Sequence, residues 1–146
     1  MKEILGNLWD YYGKFPQYAI AITTNGFVKN SGECVMGRGC ALEACQKLTY
    51  LPLKLGNLIR TNGNHVFRLG AGLYSFPVKH NWWEKADIEL IKRSCLEIST
   101  IAKEDKIIIP RMGCGNGGLN WETVKNYSEF LLDDRFYIIT FKKGGK

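Results

Sequence analysis

The chain has 146 residues, a length typical of one domain with its own hydrophobic core. Its apolar runs are much shorter than a membrane span, and its five cysteines contain no Cys-x-x-Cys pair, which argues against a transmembrane protein and against a disulfide-rich one. The net charge of +6 suits a polyanionic partner such as DNA, RNA or a phosphorylated ligand, although an ordinary basic protein fits the charge equally well.

The N-terminal residues lack the basic-then-apolar pattern of a signal peptide, so we expect a cytoplasmic protein with reduced thiols. Cys34, Cys40 and Cys45 have neither zinc-ligand spacing nor a neighbouring histidine. We therefore predict no metal site and no cofactor, and we expect a monomer that does not bind a membrane.

The first half of the chain alternates apolar segments with turn-forming ones. Residues 18–24 are a strongly apolar segment that leads directly into Asn25-Gly26, which is typical of a buried strand followed by a loop. In chain order we predict a strand over 2–5, a loop or one helical turn over 10–17, a strand over 18–24, a long loop over 25–39, and helices over about 40–48 and 55–60.

The second half continues the alternation of strands and helices. We predict a hairpin of 65–69 with 73–78, an amphipathic helix to about 102, a strand over 107–109, a helix over 121–132 and a strand over 136–141. Such interleaving predicts an α/β domain with three layers, α/β/α, around a mixed sheet of about six strands. We assign residues 1–141 to this domain and 142–146 to a basic C-terminal tail.

A glycine-rich loop follows the strand of three isoleucines, Ile107 to Ile109. Four glycines fall within six positions, 113 to 118, and Asn120 is a plausible N-cap for the next helix. A strand, a glycine loop and a helix N-terminus together form a common phosphate-binding arrangement, because bare backbone N–H groups and the helix dipole both favour an anion. The alternative is a plain strand-to-helix turn, and neither the P-loop motif nor a strict dinucleotide motif is present.

Two other predicted strand ends are also polar or glycine-rich. One leads to Asn25-Gly26 and later to Gly37-Arg38-Gly39 at a helix start, and the other ends at Lys79. Ligands of open α/β sheets bind beyond the carboxyl ends of the strands, where such loops converge. Two glycine loops that each begin a helix therefore favour an elongated nucleotide as the ligand.

Both loops resemble the ligand loops of macrodomains, the ADP-ribose-binding modules. Residues 24–26 with 35–41 resemble the first loop, and 110–121 resemble the second. Gly6-Asn7-Leu8 stands where macrodomains usually carry Gly-Asp-Ile or Gly-Asp-Leu, so Asn7 replaces the acid expected to contact the adenine amino group. Phe141 ends the last strand, where an aromatic often stacks on adenine, although core packing is an equal alternative.

The resemblance implies that ADP-ribose lies between loops 25–39 and 113–119. The distal ribose would be lined by the first loop and the diphosphate by the second. The implied ligand-binding residues are Asn7, Asn25, Gly37, Arg38, Gly39, Gly113, Cys114, Gly115, Asn116, Gly117, Gly118 and Phe141.

Residues 75–82 are most similar to one branch of the family. This branch contains the DNA ADP-ribosyl glycohydrolase antitoxins and the terminal ADP-ribose protein glycohydrolase, in which a lysine at this strand end is thought to attack the anomeric carbon of the distal ribose. Lys79 matches that position and is the implied catalytic residue. A lysine attacks only in its neutral form, which apolar neighbours and nearby positive potential favour. The alternative is a lysine that steers phosphate or lies on the surface.

One departure bears on the substrate. The protein-directed glycohydrolase carries an aspartate in the second loop, and the residue here is Gly117. Its absence weakens a protein-glutamate substrate and favours modified nucleic acid. The resemblance thus implies an ADP-ribosyl hydrolase acting on DNA or another ADP-ribosylated macromolecule. A non-catalytic ADP-ribose reader and a phosphatase on ADP-ribose 1″-phosphate remain as alternatives.

The remaining reactive and aromatic residues support weaker inferences. Cys114 invites a cysteine-phosphatase interpretation, but Asn120 occupies the position where that chemistry needs an arginine. His80 could assist Lys79, and an ordinary loop histidine is equally possible. Trp82 and Trp83 could stack an extruded base, although we expect at least one of them to pack under the following helix.

Overall fold

A computed structural model describes residues 1–141 and contains a six-stranded mixed sheet with two helices on each face. The predicted tail, 142–146, lies outside the described residues. The elements in chain order are β1 (Lys2–Gly6), a 3-10 turn (Leu8–Tyr11), β2 (Tyr18–Asn25), α1 (Gly39–Lys47), α2 (Leu51–Asn62), β3 (Arg68–Gly70), β4 (Leu73–Lys79), α3 (Ile88–Ile101), β5 (Lys106–Pro110), α4 (Trp121–Leu131) and β6 (Phe136–Phe141).

The sheet order is β1-β6-β5-β2-β4-β3, and each neighbouring pair is parallel except β3 with β4. Its central strands are buried on both faces. Ile20 and Ile108 pack with buried residues of α1 and α2, whereas Ala21 and Ile107 pack with α3 and α4. Burial on both faces explains the unbroken apolar runs, and the predicted three-layer α/β/α fold is confirmed.

Two elements begin three or more residues away from the predicted position. The helix expected over 55–60 is twelve residues long and begins at Leu51, because Pro52 lies in its first turn, where a proline N–H is not needed. The first arm of the hairpin contains only Arg68–Gly70 rather than 65–69. Just before it, the N–H groups of Val66 and Phe67 donate to side chains, Glu97 Oε1 and Ser75 Oγ, at 2.9 Å each.

Side-chain caps begin the two helices that follow polar turns. Asn120 Oδ1 accepts from the N–H of Glu122 at 2.9 Å, which confirms the predicted cap of α4. Asp87 Oδ1 accepts from the N–H of Glu89 at 2.9 Å and caps α3. Arg38 precedes α1 without a capping side chain. Within residues 1–141, no helix has the length and hydropathy needed to cross a bilayer.

Candidate functional site

A cavity of about 1080 Å³ opens at the carboxyl ends of β2, β4 and β5. It is formed by the loops that follow these three strands, and its volume is sufficient for a nucleotide-sized ligand. The structure brings together eleven of the thirteen residues implied as a site: Asn25, Gly37, Arg38, Gly39, Lys79, Gly113, Cys114, Gly115, Asn116, Gly117 and Gly118.

Asn25 holds the first loop in shape. Its Nδ2 donates to the carbonyl of Val35 at 2.9 Å, and its Oδ1 accepts from the N–H of Phe27 at 2.9 Å. The same loop packs tightly on α2, since a Cβ on Gly56 would lie 1.8 Å from the carbonyl oxygen of Gly32. One face of the cavity is therefore a braced loop rather than an open strand connection.

The N-terminus of α1 faces the cavity without a capping side chain. Gly37 and Gly39 flank Arg38, and a Cβ on either glycine would meet no atom within 4 Å. The first N–H groups of a helix have no intrahelical acceptor, and the helix dipole makes this end attractive to an anion. The arrangement suits a negatively charged group that approaches the backbone closely.

The second loop turns its carbonyls into the protein. The carbonyl oxygens of Gly113 and Gly115 accept from the N–H groups of Leu119 and Gly118 at 2.9 and 3.1 Å, and that of Gly117 accepts from Ala86 at 2.9 Å. Among residues 1–141, no protein acceptor is bonded to the N–H groups of residues 115–117. Three consecutive N–H groups without a protein acceptor can bind a phosphate.

Gly117 has no room for a side chain. A Cβ there would lie 2.4 Å from the carbonyl oxygen of Gly113 and 2.8 Å from Cβ of Ala86. The absence of a carboxylate at this position is thus required by the packing of this loop. Any carboxylate in the cavity must therefore come from another position.

Lys79 is the last residue of β4, and its side chain is half-buried. The pairing with β2 changes register here, from Thr24 opposite Pro77 to Asn25 opposite Lys79, so Val78 is an extra residue in the ladder. Such a bulge redirects the side chain that follows it. The Lys79 carbonyl accepts from the N–H of Gly26 at 3.1 Å, and its Nζ donates to the carbonyl of Trp82 at 3.3 Å.

The two histidines have carboxylate partners. Nε2 of His80 lies 2.8 Å from Asp87 Oδ2, and this hydrogen bond holds the pKa of the Asp87 carboxyl below its usual range. His80 is not among the residues that line the cavity, so the geometry favours the loop-histidine interpretation. Nδ1 of His65 lies 2.6 Å from Glu97 Oε2, and His65 is also absent from the cavity lining.

The cysteines near the cavity are poor nucleophiles. Burial raises the pKa of the Cys114 thiol, although Arg111 acts in the opposite direction, and burial also raises the pKa of Cys40. Burial raises the pKa of Cys34 to about 12. Within residues 1–141, no group of three or more His, Cys, Asp or Glu side chains is placed to hold a metal ion.

Trp82 and Trp83 both line the cavity and remain 51% and 59% exposed. The expectation that at least one of them packs under the following helix is therefore wrong. The rings are 5.5 Å apart in an edge-to-face contact, and Phe27 makes a similar contact with Trp83 at 5.4 Å. These residues form the outer part of the cavity.

Asn7 and Phe141 are not among the residues that line the cavity. Asn7 Oδ1 accepts from the N–H of Trp9 at 2.9 Å and caps the 3-10 turn. Gly6 lies opposite Phe141 in the β1–β6 ladder, so the two predicted adenine contacts are neighbours at the same end of the sheet. Phe141 is 60% exposed there rather than packed in the core.

Several lining residues were not identified from the sequence. They lie next to the predicted motifs, and adjacency was the one signal that could have indicated them. They include Phe27, Met36, Glu84, Lys85 and Arg111.

No protein-family model matches the chain, and no curated protein matches it. Several solved structures share its fold. The macrodomain of Thermus aquaticus DarG has a TM-score of 0.71 and 22% identity, with 97% of each chain covered. Thermosipho africanus DarTG in complex with ADP-ribose has a TM-score of 0.73 and 17% identity over 98% of this chain and 42% of that one. The macrodomain of Mycobacterium tuberculosis DarG has a TM-score of 0.65 and 18% identity over 97% and 99%. The chain therefore has the macrodomain fold.

Proposed function

We propose that this chain binds ADP-ribose in the cavity and hydrolyses it from modified nucleic acid, with Lys79 as the nucleophile. The observation that carries the proposal is that Lys79 shares one cavity with two glycine loops whose N–H groups suit phosphate. The fold shared with DarG macrodomains, and with a DarTG structure that contains ADP-ribose, supports it.

The diphosphate would bind between the first turn of α1 and the N–H groups of residues 115–117. Both groups of donors belong to residues that line the cavity, and Arg38 and Arg111 add positive charge to its lining. Hydrogen bonds to a charged phosphate are stronger than neutral ones, and this cavity supplies them mainly from the backbone. The first loop, braced by Asn25, would then hold the distal ribose next to Lys79.

The chemistry uses one water and no external oxidant or reductant. Neutral Nζ of Lys79 forms a bond to C1″ of the distal ribose while the bond from C1″ to the modified base breaks; Nζ loses one of its two protons and the departing base gains one. The bond from C1″ to O4″ then breaks, which leaves an imine on Lys79, and the second Nζ proton is transferred to O4″. Water hydrolyses the imine and releases ADP-ribose and the free lysine.

Nucleic acid is the better substrate class than a modified glutamate. Gly117 leaves no room for a carboxylate in the second loop. Among residues 1–141, Glu84 is the one carboxylate that lines the cavity, and its Oε1 already accepts from Asn81 at 2.9 and 3.2 Å. The net charge of +6 also favours a polyanion.

The scarcity of carboxylates also favours a second candidate, a reader that binds ADP-ribose without turnover. A hydrolase of this kind needs a group to deliver the proton to the leaving base, and Glu84 is held in its turn by Asn81. A reader needs the phosphate donors alone. Turnover, rather than binding, separates the two functions.

The test is a turnover panel with native protein, Lys79→Ala and Lys79→Arg. Its substrates are DNA ADP-ribosylated on thymidine, DNA ADP-ribosylated on guanosine, glutamate-linked protein and ADP-ribose 1″-phosphate. We expect native protein to release ADP-ribose from DNA, and both variants to lose this turnover while they still bind ADP-ribose by calorimetry. Cyanoborohydride should trap ADP-ribose on the peptide that contains Lys79.

Equal turnover by Lys79→Ala and native protein would refute the lysine mechanism. Binding without turnover on any substrate would favour the reader, and phosphate release from the 1″-phosphate would indicate a phosphatase. Because Lys79→Arg keeps the positive charge but is a poor nucleophile, it separates phosphate steering from attack.

A further inference from the structure

Three aromatic rings form a continuous exposed surface at the mouth of the cavity. Trp82 and Trp83 meet at 5.5 Å with an interplanar angle of 87°, and Phe27 meets Trp83 at 5.4 Å and 68°. More than half of each indole remains in solvent, at 51% and 59% exposure. We call Phe27, Trp82 and Trp83 the aromatic shelf. Large exposed aromatic clusters at a cavity mouth are typical of binding surfaces.

The shelf is held in place by the backbone beneath it. Asn81 and Glu84 bond to one another across the turn, since the Asn81 N–H donates to Glu84 Oε1 at 2.9 Å and the Glu84 N–H donates to the Asn81 carbonyl at 3.2 Å. The Ala86 N–H ties the end of this segment to the carbonyl of Gly117 at 2.9 Å. The two indoles are therefore presented to solvent by a braced turn, which lowers the entropy lost on binding a ligand.

The shelf adjoins the proposed nucleophile. Nζ of Lys79 lies 3.3 Å from the carbonyl oxygen of Trp82, so the amine contacts the backbone of a shelf residue. In the proposed reaction, Lys79 attacks the anomeric carbon of the distal ribose. The nucleic acid attached to that carbon would therefore pass out of the cavity near these rings. The shelf is thus placed to contact the part of the substrate that is not ADP-ribose.

The charges around the shelf select the kind of partner. The cavity lining contains five cationic side chains and one carboxylate, Glu84. The cationic residues are Lys29, Arg38, Lys79, Lys85 and Arg111. Aromatic rings beside positive charge are the combination that binds single-stranded nucleic acid, in which bases stack on the rings while cations contact the phosphates. A duplex hides the faces of its bases and would not use the rings.

We propose that the aromatic shelf stacks the nucleobases next to an ADP-ribosylated nucleotide and so holds the nucleic-acid part of the substrate. This inference rests on the proposed function, because it assigns the shelf to the nucleic-acid part of the same substrate. Trp82 and Trp83 are the residues expected to contact those bases.

The first test measures binding and needs no turnover. Fluorescence anisotropy compares an unmodified single-stranded oligothymidine, the matched duplex and an acidic peptide of equal charge, with native protein and with the Trp82→Ala/Trp83→Ala double variant. Stacking on one ring accounts for about five- to 150-fold in affinity, so we expect the double variant to lose at least about tenfold for the single strand. Calorimetry should show affinity for free ADP-ribose within about twofold of native.

Two controls address folding and ring chemistry. Phe130→Ala removes an aromatic side chain that is 90% exposed on α4 and does not line the cavity, and it should bind the single strand like native protein. Trp82→Phe/Trp83→Phe keeps a stacking face and should retain most of the single-strand affinity. Urea unfolding should give all these variants similar stabilities, since the substituted rings are largely exposed.

The second test uses turnover. With ADP-ribosylated single-stranded DNA, the Trp82→Ala/Trp83→Ala variant should raise KM by a larger factor than it lowers kcat. Unchanged single-strand binding in this variant, an equal loss of ADP-ribose affinity, or tighter binding of the peptide than of the oligonucleotide would each overturn the shelf proposal. If the shelf variants lose single-strand binding while native protein shows no turnover, the hydrolase proposal fails and the binding surface stands.

Discussion

Replacing Gly117 with alanine tests whether the packing of the second loop requires a residue without a side chain at this position. The added Cβ would lie 2.4 Å from the carbonyl oxygen of Gly113, 2.7 Å from its carbonyl carbon and 2.8 Å from Cβ of Ala86. Two of these atoms belong to the backbone, so no change of side-chain rotamer relieves the contact. Gly117 has no positive φ, and the penalty is therefore steric rather than conformational.

The size of the effect follows from what must move. Overpacking of a tight site costs about 1–3 kcal/mol. Displacing the Gly113 carbonyl also weakens its 2.9 Å bond from the Leu119 N–H, which is worth about 1 kcal/mol. We expect Gly117→Ala to lower the free energy of unfolding by about 2–4 kcal/mol, a large share of the about 5–15 kcal/mol typical of a small domain.

Gly115→Ala is the matched control in the same loop. It also lacks a positive φ, but a Cβ there would meet no atom within 4 Å and would project into the cavity. Its stability should stay within about 0.5 kcal/mol of native. Its affinity for ADP-ribose should fall at least about tenfold, because the methyl group would keep a phosphate from the backbone N–H groups.

Urea unfolding monitored by circular dichroism measures the two stabilities, and calorimetry measures the two affinities. If Gly117→Ala proved as stable as Gly115→Ala, the loop would be free to relax, and the steric reason for the missing carboxylate would be wrong. If Gly115→Ala bound ADP-ribose like native protein, the N–H groups of residues 115–117 would not be the phosphate donors.

Two further predictions concern the supports of the site. Asp87→Ala removes the cap of α3 and the hydrogen-bond partner of His80, and it should lower the free energy of unfolding by about 1 kcal/mol. His80→Ala keeps the cap and should lower it by less. Equal losses of unfolding free energy in urea would contradict this reasoning. Acid should destabilise the fold, because the hydrogen bond from His80 lowers the pKa of Asp87 below its ordinary 3.8 and the hydrogen bond from Lys125 lowers that of Glu3 below its ordinary 4.5. This stabilisation is complete above about pH 5 and is lost as the pH falls through the lowered pKa values. In Glu3→Gln, the free energy of unfolding should therefore decrease less between about pH 5 and pH 3 than it does in the native protein.

Local sequence patterns were sufficient for most of the elements. The apolar runs of β2 and β5 predicted buried strands because strands buried on both faces have no polar alternation. Asn120 predicted the start of α4 because a cap is a contact between near neighbours. Boundaries failed where distant groups decided them, as at Val66 and Phe67, whose N–H groups bond to Glu97 and Ser75 instead of extending β3.

In the candidate site too, local motifs were predictable from the sequence, whereas their arrangement in space was not. The glycine loops and Lys79 were visible in the sequence because each is a local motif at a strand end, and the order of the strands brings eleven of the thirteen implied residues to one cavity. Asn7 and Phe141 lie outside that cavity, beside one another at the ends of β1 and β6. The sequence indicated which motifs are candidates for ligand binding, and the order of the strands decided which of these motifs lie in one cavity.

The sequence by itself determined the alternation of strands and helices, the two glycine loops and the absence of a carboxylate at Gly117. Only the tertiary structure decided why that carboxylate is absent. Of the two atoms that exclude it, Gly113 O approaches because the second loop folds back on itself, and Ala86 Cβ comes from the segment between β4 and α3. Only the tertiary structure placed Phe27 against Trp83, 56 residues further along the chain and 5.4 Å away. Strand ends, glycine loops and caps depend on residues close in sequence. The steric contact of Gly117 with Ala86 and the contact of Phe27 with Trp83 depend on residues that become neighbours only when the chain folds.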